Sequence, residues 1–149
     1  MGPNVGELMS QDLYFLTPDD TIFEAAVMMK QHDIGIVPIC EEGKVTGVVT
    51  DRDLVLRGIA DKKPNSGRLQ EVMSQNLIFA APEMDLMEAA EIMAEAQIRR
   101  LPVVQENQLI GMLSIGDLAT EEMSDQKAGG ALSEISVRKH EHFDTNNVM

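Results

Sequence analysis

The alternation of apolar and polar positions along this chain runs through one pattern twice. Ile22, Ala25, Ala26 and Met29 recur at helical spacing, and so do Leu86, Ala89, Ala90 and Met93. Each run follows a capping-box signature, Thr21-x-x-Glu24 and Asp85-x-x-Glu88, which places the helix start. Ahead of each, a short apolar segment ends at a proline: Leu13–Leu16 before Pro18 and Leu77–Ala80 before Pro82, both read as short strands. Behind each helix, Ile34–Ile39 and Ile98–Val104 read as strands, and their prolines, Pro38 and Pro102, suit an edge or a strand end. Glu42-Gly43 and Glu106-Asn107 supply turns that tolerate positive φ, so Lys44–Val49 and Gln108–Leu113 return as hairpin partners.

Both returning strands run into the same motif. Gly47-Val48-Val49-Thr50-Asp51-Arg52-Asp53 is matched 64 residues later by Gly111-Met112-Leu113-Ser114-Ile115-Gly116-Asp117. The hydroxyl falls where a helix N-cap belongs, and the aspartate falls in the first helical turn. The free N–H groups of such a terminus favour an anion, so these residues suit either a cap or a phosphate contact. Ungapped alignment of 7–60 with 71–124 gives 17 identities in 54 positions, well above the three or so expected from average usage. The chain is an internal duplication.

These elements predict an α/β (α+β) fold made of two β-α-β-β-α repeats packed with pseudo-two-fold symmetry. The repeats are placed at 7–64 and 69–124, and the polar stretch Asp61–Arg68, which includes the last residues of the first, serves as the linker. A lone unit of about 60 residues buries too little surface to stand comfortably, so the two are expected to share a core. Ala128–Val137 reads as one more amphipathic helix within a C-terminal region, 125–149, whose last dozen residues read as a flexible tail.

Charge narrows the function. A formal charge of −13 disfavours wrapping a nucleic acid or lying on an anionic membrane, though a local pocket for a small anion remains open. The single cysteine, Cys40, excludes an internal disulfide and reads as core. No signal pattern or membrane-length apolar run is present, and a cytoplasmic location is expected. No nucleophile–base–orienter set and no metal-ligand spacing is visible, so neither an enzyme nor a metal site is expected; His32 suits a helix C-terminus, and His140 and His142 stand in the tail.

The doubled Gly-to-Asp motif, together with Ile36-Val37-Pro38 and Arg100-Leu101-Pro102, resembles a pair of CBS domains, the arrangement called a Bateman module. The resemblance covers 7–124 and is similar to small stand-alone bacterial CBS-pair proteins. It implies a regulatory module that binds an adenine nucleotide (AMP, ADP or ATP) or S-adenosylmethionine between the copies, with no obligatory cofactor. It also implies a homodimer and output through a separate protein partner.

On the family pattern Asp53 and Asp117 accept from ribose hydroxyls, Thr50 and Ser114 contact phosphate, and the Pro38 and Pro102 strands offer backbone to adenine. The same pattern sets Thr50 and Asp53 against Leu77, Ile78, Arg99 and Arg100 of the other copy, and Ser114 and Asp117 against Leu13, Tyr14, Gly35 and Ile36. Two guanidiniums suit phosphate, so phosphate is expected in the pocket that holds Asp53. The competing expectation is an oligomeric scaffold whose pockets are vestigial and whose Thr, Ser and Asp residues are caps alone.

Overall fold

The computed structural model describes residues 2–75 and 78–119. Leu77, the 128–137 helix and the histidines at 140 and 142 therefore lie outside the described residues. Helix α1 (Val5–Leu8) opens the chain, and helix α2 (Ile22–His32) follows the first proline segment. Strands β1 (Ile36–Glu41) and β2 (Lys44–Thr50) form an antiparallel hairpin that feeds a helical segment, α3 (Asp51–Asp53), continued as a wider π-type turn over Leu54–Ile59. The second repeat has a 3-10 turn at Leu69–Glu71, helix α4 (Leu86–Ala96), hairpin strands β3 (Arg100–Gln105) and β4 (Gln108–Ser114), and helix α5 (Ile115–Ala119).

Local chemistry accounts for the boundaries. Thr21 caps α2 by accepting from the Glu24 N–H at 3.1 Å. Asp85 caps α4 but accepts from Met87, two residues on, at 3.0 Å rather than from Glu88. Both helices end on a left-handed residue, Asp33 (φ 53°) and Gln97 (φ 56°), whose N–H closes on the last turn. The hairpin turns have positive φ at both central residues, Glu42 with Gly43 and Glu106 with Asn107, which is the type I′ geometry that matches strand twist. Both hairpins carry a bulge at the same place, between Ile39 and Cys40 and between Val103 and Val104.

The two proline-ended segments shrink from the expected strands to single bridges, Leu16 to Ile39 and Ala80 to Val103, both parallel. Leu16 donates to the Pro38 carbonyl at 3.1 Å and accepts from Cys40 at 2.8 Å. Pro38 has no N–H to carry that ladder back towards Tyr14, and Pro102 imposes the same stop beside Ala80.

The repeats are interlocked by their lead-in segments. Val5 and Gly6 donate to the carbonyls of Met84 and Pro82 at 3.1 and 2.7 Å, while Leu69 and Gln70 donate to Asp20 and Pro18 at 2.8 and 3.0 Å. Every one of these four bonds maps onto another after a shift of 64 residues. Each repeat's first residues thus dock on the other repeat. Ser10 then pairs with Met112 on the free edge of β4, and Ser74 pairs with Val48 on the free edge of β2.

The core records the same exchange. Leu69 and Val72, from the second repeat, pack with Ile22, Ala25, Met29, Val37, Ile39 and Val49 of the first. Val5, Ile36 and Val48, from the first, pack with Met93, Leu101, Val103, Leu113 and Leu118 of the second. Strand alternation explains how β1 serves both sides: Val37 and Ile39 face their own helix, while Ile36 turns the other way. Cys40, Val45 and Val104 form a third small cluster between the hairpins, where Val45 N–H donates to Asn107 at 2.7 Å.

Candidate functional site

The motif glycines have a role that their position in the motif does not announce. A Cβ on Gly47 would stand 2.7 Å from the Ser74 carbonyl oxygen, and one on Gly111 would stand 2.8 Å from that of Ser10. Those carbonyls belong to the exchanged lead-in segments. Glycine is required there because another backbone crosses the strand, with Met73 and Met9 packed over the same bare Cα.

The residues after the glycines form two reciprocal capping boxes. Thr50 Oγ1 accepts from Asp53 N–H at 3.1 Å, and Asp53 Oδ2 accepts from Thr50 N–H at 2.9 Å. Ser114 and Asp117 repeat this at 3.0 and 2.9 Å. Capping is therefore an established job of all four residues, worth about 1 kcal/mol for each cap. It uses one oxygen of each carboxylate; Asp53 Oδ1 turns towards Arg57 at 3.9 Å, and the Asp53 side chain keeps 17% of its surface open.

The hairpin ladders decide which strand residues accompany each box. Ile36 lies opposite Thr50, and Arg100 lies opposite Ser114. Facing residues of an antiparallel pair project to the same side of the sheet, so each box has its strand partner within its own repeat. The backbone reinforces this: Asp51 N–H donates to Gly35 and Ile115 N–H donates to Arg99, both at 2.9 Å. Hairpin closure sets Arg100 opposite Ser114 within its own repeat and the Arg99 carbonyl on the Ile115 N–H, beside the expected grouping of both arginines with Thr50 across the two repeats. Gly35 and Ile36 accompany Thr50 for the same reason.

Burial sorts the remaining residues. Arg100 is half-buried and Arg99 is exposed. Pro38 and Pro102 are buried, Ile78 packs against the second core, and Ile36, wholly buried, joins that core from the first repeat. Tyr14 stacks on His32 with ring centroids 4.0 Å apart and packs on the first core. Leu13 is exposed.

Thr50, Asp53, Ser114 and Asp117 thus occupy equivalent niches in two halves that share one interface, and the CBS domain family model matches residues 5–58 and 69–124. The chain belongs to the CBS-domain family. It is 43% identical over 133 residues to the CBS domain-containing protein YhcV of Bacillus subtilis, covering 89% of this chain and 95% of that relative. Among solved structures, hypoxic response protein I with two coordinated zinc ions shares 28% identity at a TM-score of 0.69, covering 79% of this chain and 98% of that one. The CBS domain pair of MJ0100, in complex with 5′-methylthioadenosine and S-adenosyl-L-methionine, shares 26% identity at a TM-score of 0.65, covering 78% and 93%. The tandem CBS module is a small α+β unit of two hairpins and their helices.

Asp51 escapes the motif pattern, which treats its position as unspecified. Its Oδ1 accepts from Arg52 N–H at 2.8 Å, and its Oδ2 would lie 3.2 Å from a Cβ on Gly35. Only the ladder that brings Gly35 beside it reveals its place. Among the described residues, no group of three or more His, Cys, Asp or Glu side chains converges to hold a metal ion. No helix among them is long and apolar enough to cross a membrane.

Proposed function

We propose that this chain is a non-catalytic regulatory module that binds an adenine nucleotide in the cleft between its two CBS repeats and passes the signal to a separate protein. The observation that carries the reading is the placement of Arg100 opposite Ser114, with Asp117 in the same box. A guanidinium, a hydroxyl and a carboxylate in one niche answer the phosphate and the ribose hydroxyls of a nucleotide. The Pro38 and Pro102 strands lend a dry, aliphatic setting for the base. The adenosine ligands on the MJ0100 pair support the same ligand class.

Signal transfer follows from differential affinity. Because each lead-in segment is pinned to the other repeat, a ligand that favours one arrangement of the repeats shifts the whole module towards it. Phe23, Val55, Leu56 and Ile59 are exposed on the first repeat and support a homodimer or a docked partner as the outlet.

The competing reading, a scaffold with vestigial pockets, is favoured by the use of Thr50 and Ser114 as caps. Thermal unfolding with AMP, ADP, ATP and S-adenosylmethionine separates the two. A true ligand at 100 times its Kd adds about 2.7 kcal/mol and raises the midpoint, whereas a scaffold shows no response.

A further inference from the structure

The two niches are equivalent in backbone and differ in charge: Asp51, Arg52 and Asp53 follow Thr50, whereas Ile115, Gly116 and Asp117 follow Ser114. In the second, Arg99 and Arg100 flank Ser114, and the position after the hydroxyl is the apolar Ile115. In the first, Gly35 and Ile36 flank Thr50, and the position after the hydroxyl is Asp51. Asp51 is not simply a solvated surface charge. Its Oδ1 accepts from Arg52 N–H at 2.8 Å, so a carboxylate of the chain already sits on a first-turn amide that an anion would seek. Its Oδ2 stands over Gly35, where the second repeat has Arg99. Arg57 offsets Asp53 rather than Asp51.

We infer that Asp51 is the specificity-determining residue of the pair. It weakens phosphate binding at the Thr50 niche, which prefers an adenosine derivative with an uncharged 5′ substituent, and leaves the tighter phosphorylated-nucleotide site to the Ser114 niche. The inference rests on the reading given under Proposed function, since it divides that ligand class between the two halves. A like charge about 4 Å from a phosphate near a protein surface opposes binding, and solvent screening at an exposed site reduces the effect to about fivefold to tenfold in affinity.

Calorimetric titration of the full chain with AMP and with 5′-methylthioadenosine tests it. The wild type takes one AMP per chain tightly and a second only weakly, and with the tight site filled it still takes one 5′-methylthioadenosine. Asp51→Ala takes the second AMP more tightly. Asp51→Asn keeps an oxygen for the Arg52 N–H, guards against loss of fold, and binds AMP at the first niche about fivefold more tightly than the wild type. Two equally tight AMP sites per wild-type chain, exclusion of 5′-methylthioadenosine by AMP at the tight site alone, or an unchanged weak second site in both variants overturns the role of Asp51. A wild type that binds neither ligand instead refutes the nucleotide reading itself, and the inference falls with it.

Discussion

Arg100 and Ser114 face each other across the β3–β4 ladder, whereas Thr50 faces Ile36 at the equivalent place in β1–β2. One repeat thus sets an arginine opposite its cap residue, and the other sets an aliphatic residue there. Ser114→Ala and Thr50→Ala should each cost about 1 kcal/mol of stability, since each deletes a cap of the same geometry. Only Ser114→Ala should also weaken AMP binding by several fold. Urea unfolding and calorimetry on the same pair of variants check the distinction.

Gly47 and Gly111 should tolerate no side chain. Alanine at either position would press on the carbonyl of Ser74 or Ser10, which is backbone and cannot swing aside as a side chain does. Overpacking of this kind costs roughly 1–3 kcal/mol. Gly43→Ala in the first hairpin turn meets no neighbour and suffers only its left-handed φ of 80°, so its loss should be smaller. Chemical denaturation ranks the three.

The lead-in exchange makes the amino-terminal segment part of the second core. Val5 is fully buried there, and burying a valine contributes about 1.5–3 kcal/mol. Val5→Ala should remove a large part of that, and deletion of residues 2–10 should remove more, because it also strips the Ser10 bridge from the edge of β4. An uncovered strand edge invites pairing between chains. The truncated protein should therefore unfold at lower urea and self-associate, as seen by denaturation and light scattering.

Among the described residues, Cys40 gives the one clear dependence on pH. Desolvation by burial between the hairpins raises its thiol above the ordinary value of 9.0. The folded state then holds the proton more tightly than the unfolded chain. The associated stability is complete below the unfolded pKa and declines as pH rises from about 9 through the folded value. Cys40→Val should flatten that alkaline decline, and the native thiol should react slowly with Ellman's reagent at pH 8 until denaturant is added.

Much of this was legible in residues that act locally. Thr21, Glu42-Gly43 and Glu106-Asn107 announce a cap and two turns through chemistry confined to four or five positions, and the doubled Gly-to-Asp motif announces the repeat. The exchange of lead-in segments was not legible, because it rests on contacts between residues such as Ser10 and Met112 that share no periodic signal. For the same reason Gly47 and Gly111 read as motif residues rather than as crossing points. That Arg100 shares a side of the sheet with Ser114 was not legible either, because it is set by the hairpin register, which a bulge shifts, and not by spacing along the chain.

The account stands or falls on the arginines beside Ser114. Calorimetric titration of AMP into the wild type and into the Arg99→Ala/Arg100→Ala double variant tests this most directly. Charge-assisted phosphate contacts contribute about 1.5–3 kcal/mol each, so the double variant should bind at least tenfold more weakly while unfolding at an unchanged midpoint in the absence of ligand. Equal affinity in the two proteins would contradict the account.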